Sequence, residues 1–419
     1  MKKRLLLGVF GIIVLCLGVF VFANREYQSV PIMDEETKLE ESNIIGVYIE
    51  SEDGYTKTDT IPESGYTLNE EQSYCKVGDS NIDATINYNV NTKTLSVSPI
   101  TTKGTKCYLY FDEDQTLLKD AILANATTQT TRTDFSTTVE ETTTGTIYYA
   151  DTSKGRTYYF AGNPTDNWVQ FAGFYWRIIR INEDGSVRLI YNGTGTVTTG
   201  TNTQIQTSTF NSSYNNNMYV GYMYQRGQVH GLTSDSTIKG VLDTWYQNNL
   251  QSYASQISTE AGFCGDRQPS TSSTTSNGSG GTGTTQTYYG AYIRLITNKA
   301  PTFECQNGSD LYTVASSNQG NKALDYPIGL ITADEVVYAG GTFGIENSSY
   351  YLNTGQDYWT MSSNGFRNNL AIVFIVYSDG RIYDDDYVAF SIGVRPVINL
   401  SADITIKSGN GTSTSPYEI

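Results

Sequence analysis

The chain has 419 residues, with 27 Lys+Arg against 43 Asp+Glu, a formal net charge of −16 and one histidine, His230. So acidic a chain lacks the basic face that phosphate backbones require, which excludes nucleic acid as the main partner. One histidine excludes the His-rich zinc motifs and weakens any His-based triad. Charged residues make up only 17%, and the polar balance comes from Thr, Ser, Asn, Gly and 33 tyrosines, a composition suited to an exported, contact-making surface.

Met1-Lys2-Lys3-Arg4 precedes an apolar run from Leu5 to Ala23, 19 residues long. About 20 apolar residues span a bilayer as a helix, whereas a signal-peptide core is shorter. Residues 1–23 are therefore read as a membrane anchor, with a signal cleaved after Val21-Phe22-Ala23 as the alternative. In both cases the basic cluster stays cytoplasmic and everything after Ala23 is exported. The expected location is the cell surface, single-pass anchored with the C-terminal part outside, or secreted after cleavage. Cys75, Cys107, Cys264 and Cys305 lie beyond this segment. An even count in an exported chain predicts disulfides, and local pairing predicts Cys75–Cys107 and Cys264–Cys305.

Residues 24–41 are polar and acidic, a juxtamembrane spacer. Over 42–112, short β-rich runs such as Ile44–Ile49, Ala84–Tyr88, Thr94–Ser98 and Lys106–Phe111 are separated by turn signals, which predicts a small β-sandwich. Residues 113–145 read as a short helix, with Leu117, Leu118, Ala121 and Ile122 on one face, and then a Thr-rich extended linker.

A second domain is expected over 146–403, followed by a polar tail, 404–419. Its first hairpin folds around Glu183-Asp184-Gly185-Ser186. Ile238, Val241, Leu242 and Trp245 recur at helical spacing within Ser236–Tyr253. Pro269–Gln286, almost wholly Ser/Thr/Gly, reads as a flexible surface insertion. Thr332-Ala333-Asp334-Glu335 is a capping box, and Gly340-Gly341 ends its helix. Strands are expected from Asp357, over Leu370–Tyr377, over Ile382–Phe390 and over Gly393–Leu400.

The order of five motifs resembles the bacterial branch of the C-type-lectin-like superfamily related to the formylglycine-generating-enzyme fold. They are the hairpin carrying Trp176, Ile331–Val336, Tyr358-Trp359-Thr360-Met361-Ser362, Ser378-Asp379-Gly380-Arg381 and Gly393-Val394-Arg395-Pro396-Val397. The resemblance implies an α+β C-type-lectin-like domain over 146–403, a surface binding role, and a structural, partly buried Arg395 that ties the closing strand to the core. It does not carry over the enzyme, whose copper-binding cysteines have no counterpart after Cys305. The Glu-Pro-Asn or Gln-Pro-Asp loop of calcium-dependent lectins is absent as well. The region 364–392 also occupies the place of the variable stretch in proteins diversified by retroelements.

Candidate ligand-contacting residues are Trp359, Phe366, Arg367, Asn368, Asn369, Tyr377, Tyr383, Asp384, Asp385, Tyr387 and Phe390. Tyrosines supply rigid amphipathic contact area, and Asn and Asp supply hydrogen-bond acceptors. Tyr383–Tyr387 lacks the alternating ligands and Gly of a calcium loop, so no metal is expected. Asp334 and Glu335, adjacent on a helix, cannot flank one glycosidic bond. With no nucleophile–base or metal motif, the expectation is no catalytic residue, no cofactor, and a surface protein or glycan as ligand. The alternatives are a cell-wall or glycan-modifying enzyme and a structural envelope component.

Overall fold

The computed structural model describes residues 44–51, 54–62, 65–89, 94–98, 105–113, 116–271, 280–315, 320–384 and 386–419. The expected anchor (1–23) and spacer (24–41) lie outside them. No helix among the described residues is long and apolar enough to cross a membrane. The chain divides into two compact units at Gln115/Thr116.

In the first unit, Ile44–Ser51 pairs antiparallel with Gly54–Thr58 and parallel with Thr105–Glu113. Thr105–Glu113 also carries Tyr66–Leu68 and Tyr74–Val77, and Ser80–Ile82 forms the far edge. A separate hairpin, Thr85–Asn89 with Thr94–Ser98, supplies Ile86 and Tyr88 to the core. This is one six-stranded mixed sheet with a two-stranded hairpin, in place of the expected sandwich. Cys75 and Cys107 face each other on neighbouring strands, are 1% exposed, and are disulfide-linked.

The second unit holds two larger sheets. One has the order Val397–Leu400, Val187–Tyr191, Phe174–Ile181, Gly155–Tyr159, Thr146–Thr152, Thr128–Thr130, with Trp168–Phe171 paired to Phe174–Ile181. The other has the order Gln206–Ser208, Ile392–Val394, Tyr358–Arg367, Leu370–Val376, Ile382–Tyr383. Helices Leu118–Asn125, Thr237–Asn249 and Ala333–Tyr338 contribute Leu118, Ile122, Ile238, Leu242, Val336 and Val337 to one continuous core.

The expected α+β class is corrected here, because strand accounts for 36% and helix for 15%. The Tyr-, Thr-, Val- and Ile-rich segments suit pleated surfaces, and Tyr358–Arg367 has nine of its ten residues buried in a strand pattern. Two stretches read as appendages belong to the folded body. Within the Thr-rich stretch, Thr128–Thr130 pairs with the sheet and Val139 is 7% exposed. The Arg132 guanidinium donates to the Val337 and Tyr338 carbonyls at 2.8 and 3.0 Å. In the tail, Tyr417 pairs with Val169 and is 2% exposed. Composition marks both as polar, but a few anchoring apolar and cationic side chains fix them.

Cys264 and Cys305 form the second disulfide. The two bridges close loops with separations of 32 and 41 residues. In the chain-entropy model each restricts the unfolded chain by about 4 kcal/mol. Replacing either pair by serines is expected to lower the urea midpoint of the unit that carries it, by an amount corresponding to most of that figure. An unchanged midpoint would mean that the bridge constrains nothing.

Candidate functional site

The second unit is organised by buried ion pairs. Thr332 caps the helix Ala333–Tyr338: its hydroxyl accepts from the Glu335 backbone N–H at 3.1 Å, and the Glu335 carboxylate accepts from the Thr332 N–H at 3.0 Å. The same carboxylate pairs with Arg188 at 2.6 Å and Arg180 at 3.1 Å, both on the Phe174–Tyr191 hairpin. Burial would raise Glu335, but the two guanidinium groups and the cap N–H hold it below its ordinary value. One residue earlier, Asp334 joins Asp266 around Arg294, at 2.8 and 2.5 Å. Burial raises Asp266 despite Arg294. A third cluster centres on Asp310, fully buried, which accepts from Arg267 Nε at 2.9 Å and meets His230 Nδ1 at 2.9 Å. Against desolvation, Arg267 and His230 hold Asp310 low. Arg395 donates to the Tyr191 carbonyl at 3.1 Å and the Leu352 carbonyl at 3.1 Å, and lies 4.8 Å over the Tyr358 ring.

These clusters bind their own charges and form a scaffold. The Ala333 N–H donates to Ser362 Oγ at 2.9 Å, and the Met361 N–H to the Ile331 carbonyl at 2.7 Å. The helix start is thereby fastened to strand Tyr358–Arg367, which carries the candidate surface at its far end.

That strand turns into Leu370–Val376 through Asn368 and Asn369, both at positive φ (52° and 63°). This is the two-residue hairpin turn in which Asn is among the few side chains tolerated. Both are exposed. Arg367 donates to Asp384 at 3.0 Å and lies 5.6 and 5.7 Å over the rings of Tyr288 and Tyr292. Beside it, Tyr387 packs on Phe390 at 4.6 Å and on Tyr214 at 4.9 Å. Phe390 is 43% and Tyr214 40% exposed, uncommon values for large aromatics. Tyr377 and Tyr383 are edge-to-face at 5.6 Å, and Tyr383 stacks on Phe343 at 5.4 Å.

Two of the expected contact residues are corrected. Trp359 is fully buried and donates from its indole to the Ser208 carbonyl at 2.8 Å; Phe366 is 1% exposed. Strand alternation gives no hint of this, because both faces of Tyr358–Arg367 are covered. Asp385 lies outside the described residues. Conversely, Tyr214, Tyr288 and Tyr292 join the surface from segments distant in sequence, and no local signal marks them. Among the described residues, Asp235, Asp243 and Asp325 bring carboxylate oxygens within 4.8 Å of one another. Lys239 Nζ is already at 3.2, 2.7 and 3.6 Å from them.

Comparison with protein-family models, with curated proteins and with solved structures finds no match.

Glu335→Gln should destabilise the second unit by about 3–5 kcal/mol, because it leaves Arg188 buried without a counter-charge and takes from Arg180 one of its two, Glu183 being the other. Urea unfolding followed by tryptophan fluorescence measures this; a loss within error of zero would contradict it. The depressed carboxylates also fix a pH dependence. Glu335 and Asp310 contribute stability that is complete above their ordinary values of 4.5 and 3.8 and is lost as pH falls through their lower native ones. Asp266 works in the opposite direction, since its raised native value favours the folded state as it takes up a proton. The melting temperature is expected to change little between about pH 7 and 5 and to fall below about pH 4. Equal melting temperatures at about pH 7 and about pH 3 would contradict the assignment.

Proposed function

We propose that the protein is an exported bacterial binding protein that recognises a protein or glycan on another cell, a phage or a host. The observation that carries this reading is the aromatic group of exposed Tyr214 and Phe390 around half-buried Tyr387, flanked by Arg367, Asp384, Asn368 and Asn369. Rigid aromatics next to adaptable polar side chains are what contact recognition uses. The sequence likeness to surface binding modules of the C-type-lectin-like superfamily points to the same role. The two disulfides accord with an oxidising, extracellular setting. The apolar run of residues 5–23 would take the chain across the membrane, as a retained anchor or as a removed signal.

Contact recognition is favoured over catalysis because the acidic groups best placed to act, Asp266, Asp310, Asp334 and Glu335, are each held by arginine. If the region 364–392 is diversified, substitutions should gather at the accessible positions Arg367, Asn368, Asn369, Tyr383, Asp384, Tyr387 and Phe390, and spare Trp359 and Phe366. Sequencing the gene across one population reads this pattern directly.

The double substitution Y387S/F390S tests the binding surface. It should leave the fold intact, with a stability change of roughly 1 kcal/mol or less. It should also abolish at least about tenfold of the affinity for whatever ligand a glycan array or cell-binding screen of the wild type identifies. Binding that survives the double substitution would place the contact surface elsewhere.

A further inference from the structure

The sheet of the first unit has two unlike faces. Strand alternation sends Val47, Cys75, Cys107, Leu109 and Phe111 into the core, where Ile86 of the separate hairpin joins them. Tyr48, Tyr74, Tyr108 and Tyr110 alternate with these residues and gather on the other face, with Tyr55 from the edge strand. Tyr48 stacks on Tyr110 with ring centroids 4.7 Å apart, and Tyr74 on Tyr108 at 5.0 Å. Tyr55 meets Tyr110 edge-on at 5.0 Å. The rings cover one another and are half-buried. Among the described residues, the hydroxyls of Tyr48, Tyr74, Tyr108 and Tyr110 have no partner in the chain, and they stay accessible.

Charge gathers on the same face. Lys57, Lys76 and Lys106 are the cations among the described residues of this unit. The register sets Lys57 opposite Tyr48, and Lys76 opposite Lys106, so all three share the tyrosine face. Lys76 Nζ lies 4.9 Å over the Tyr108 ring. The strand carboxylates of this face are already engaged. Glu50 accepts from the Glu113 N–H at 3.1 Å, and Asp112 accepts from the Tyr55 hydroxyl and from Asn69 Nδ2, the latter at 2.9 Å. Among the described residues no carboxylate pairs with any of the three lysines. Like charges directly opposite on neighbouring strands destabilise a sheet. The Lys76/Lys106 pair is such a case, and a bound anion would remove its cost.

We propose that this face binds a linear acidic polysaccharide, a sugar chain with regularly spaced carboxylates. Sugar hydroxyls both donate and accept hydrogen bonds, as phenol hydroxyls do, and the carboxylates meet the lysines. A peptide would need unpaired backbone groups, which a sheet offers at its edge and not on its face, or an apolar pocket for an anchor, which rings stacked on one another do not form. The net charge of −16 opposes an anion at long range. Fields between exposed charges are screened beyond about 8 Å at physiological ionic strength, so the three lysines decide at contact. The surface belongs to the first unit and does not depend on the aromatic group of the second.

The test is isothermal titration of the full chain with a galacturonic acid decamer, with the same decamer methyl-esterified, and with poly-glutamate of equal charge. The acid decamer should saturate one site, more weakly as salt rises. The ester keeps the backbone without the charge, and it and the peptide should bind at least about tenfold more weakly. The double substitution K76Q/K106Q should weaken binding of the acid decamer at least about tenfold. It should leave the melting temperature unchanged or raised, because it removes a like-charge pair. The double substitution Y48F/Y110F keeps the rings and removes two hydroxyls, and should weaken binding about threefold. Y387S/F390S, on the other unit, should leave this binding unchanged, so the two surfaces stand or fall separately. The proposal is overturned if the acid decamer does not saturate the wild type, if the ester binds equally, or if K76Q/K106Q binds as the wild type does. Equal binding of poly-glutamate would also overturn it, assigning the face to acidic peptides.

Discussion

One carboxylate ties the second unit together. Glu335 closes the cap of its own short helix and simultaneously pairs with Arg180 and Arg188 on the neighbouring hairpin. A six-residue helix is too short to persist by propensity alone. Its start is held instead by the cap, by two arginines from one sheet and by Ser362 from the other. Because burying three ionised groups is costly unless each finds its partners, the arrangement admits little variation. The same helix start delivers Asp334 to Arg294, so two buried ion-pair clusters follow from one turn of chain.

This node joins the two sheets, and the sheets position everything else. Strand Tyr358–Arg367 leaves the node fully buried and emerges only at Arg367, where the asparagine turn begins. Thr360, Ser362 and Ser363 find partners along the way, as with the Thr360 hydroxyl donating to the Phe374 carbonyl at 2.6 Å, whereas the buried Asn364 amide NH2 meets no acceptor. The accessible aromatics thus project from a backbone whose geometry is fixed by buried contacts, as a recognition surface requires.

Local signals were legible in the sequence where one short segment carries the whole physics. The capping box at Thr332–Glu335, the Asp184-Gly185 hairpin and the helical spacing around Ile238 and Leu242 are of this kind, and the structure contains each. The observed helix ends at Asn249, short of Tyr253, and a 3-10 segment follows. Fold class was less legible, because the strands of 146–403 assemble into two sheets through pairings between distant segments. The site shows the same division. Asn368, Asn369 and Phe390 are exposed and Tyr387 is half-buried. The burial of Trp359 and the arrival of Tyr214, Tyr288 and Tyr292 depend on covering layers from elsewhere in the chain. His230 reads as a loop histidine, yet it meets an aspartate 80 residues away, a contact no local pattern encodes.

The central claim is that buried ion pairs join helix Ala333–Tyr338 to hairpin Phe174–Tyr191, and hydrogen bonds of Ser362 and Met361 join it to strand Tyr358–Arg367, making one rigid body that displays a contact rim. Native-state hydrogen exchange of the unmodified chain tests it most directly. The account predicts that amides of these three elements exchange in one slow, cooperative class, while those of the Asn368–Asn369 turn exchange early. Exchange of the short helix well before the hairpin and the strand would contradict it, because these ion pairs and hydrogen bonds would then not be joining the three elements.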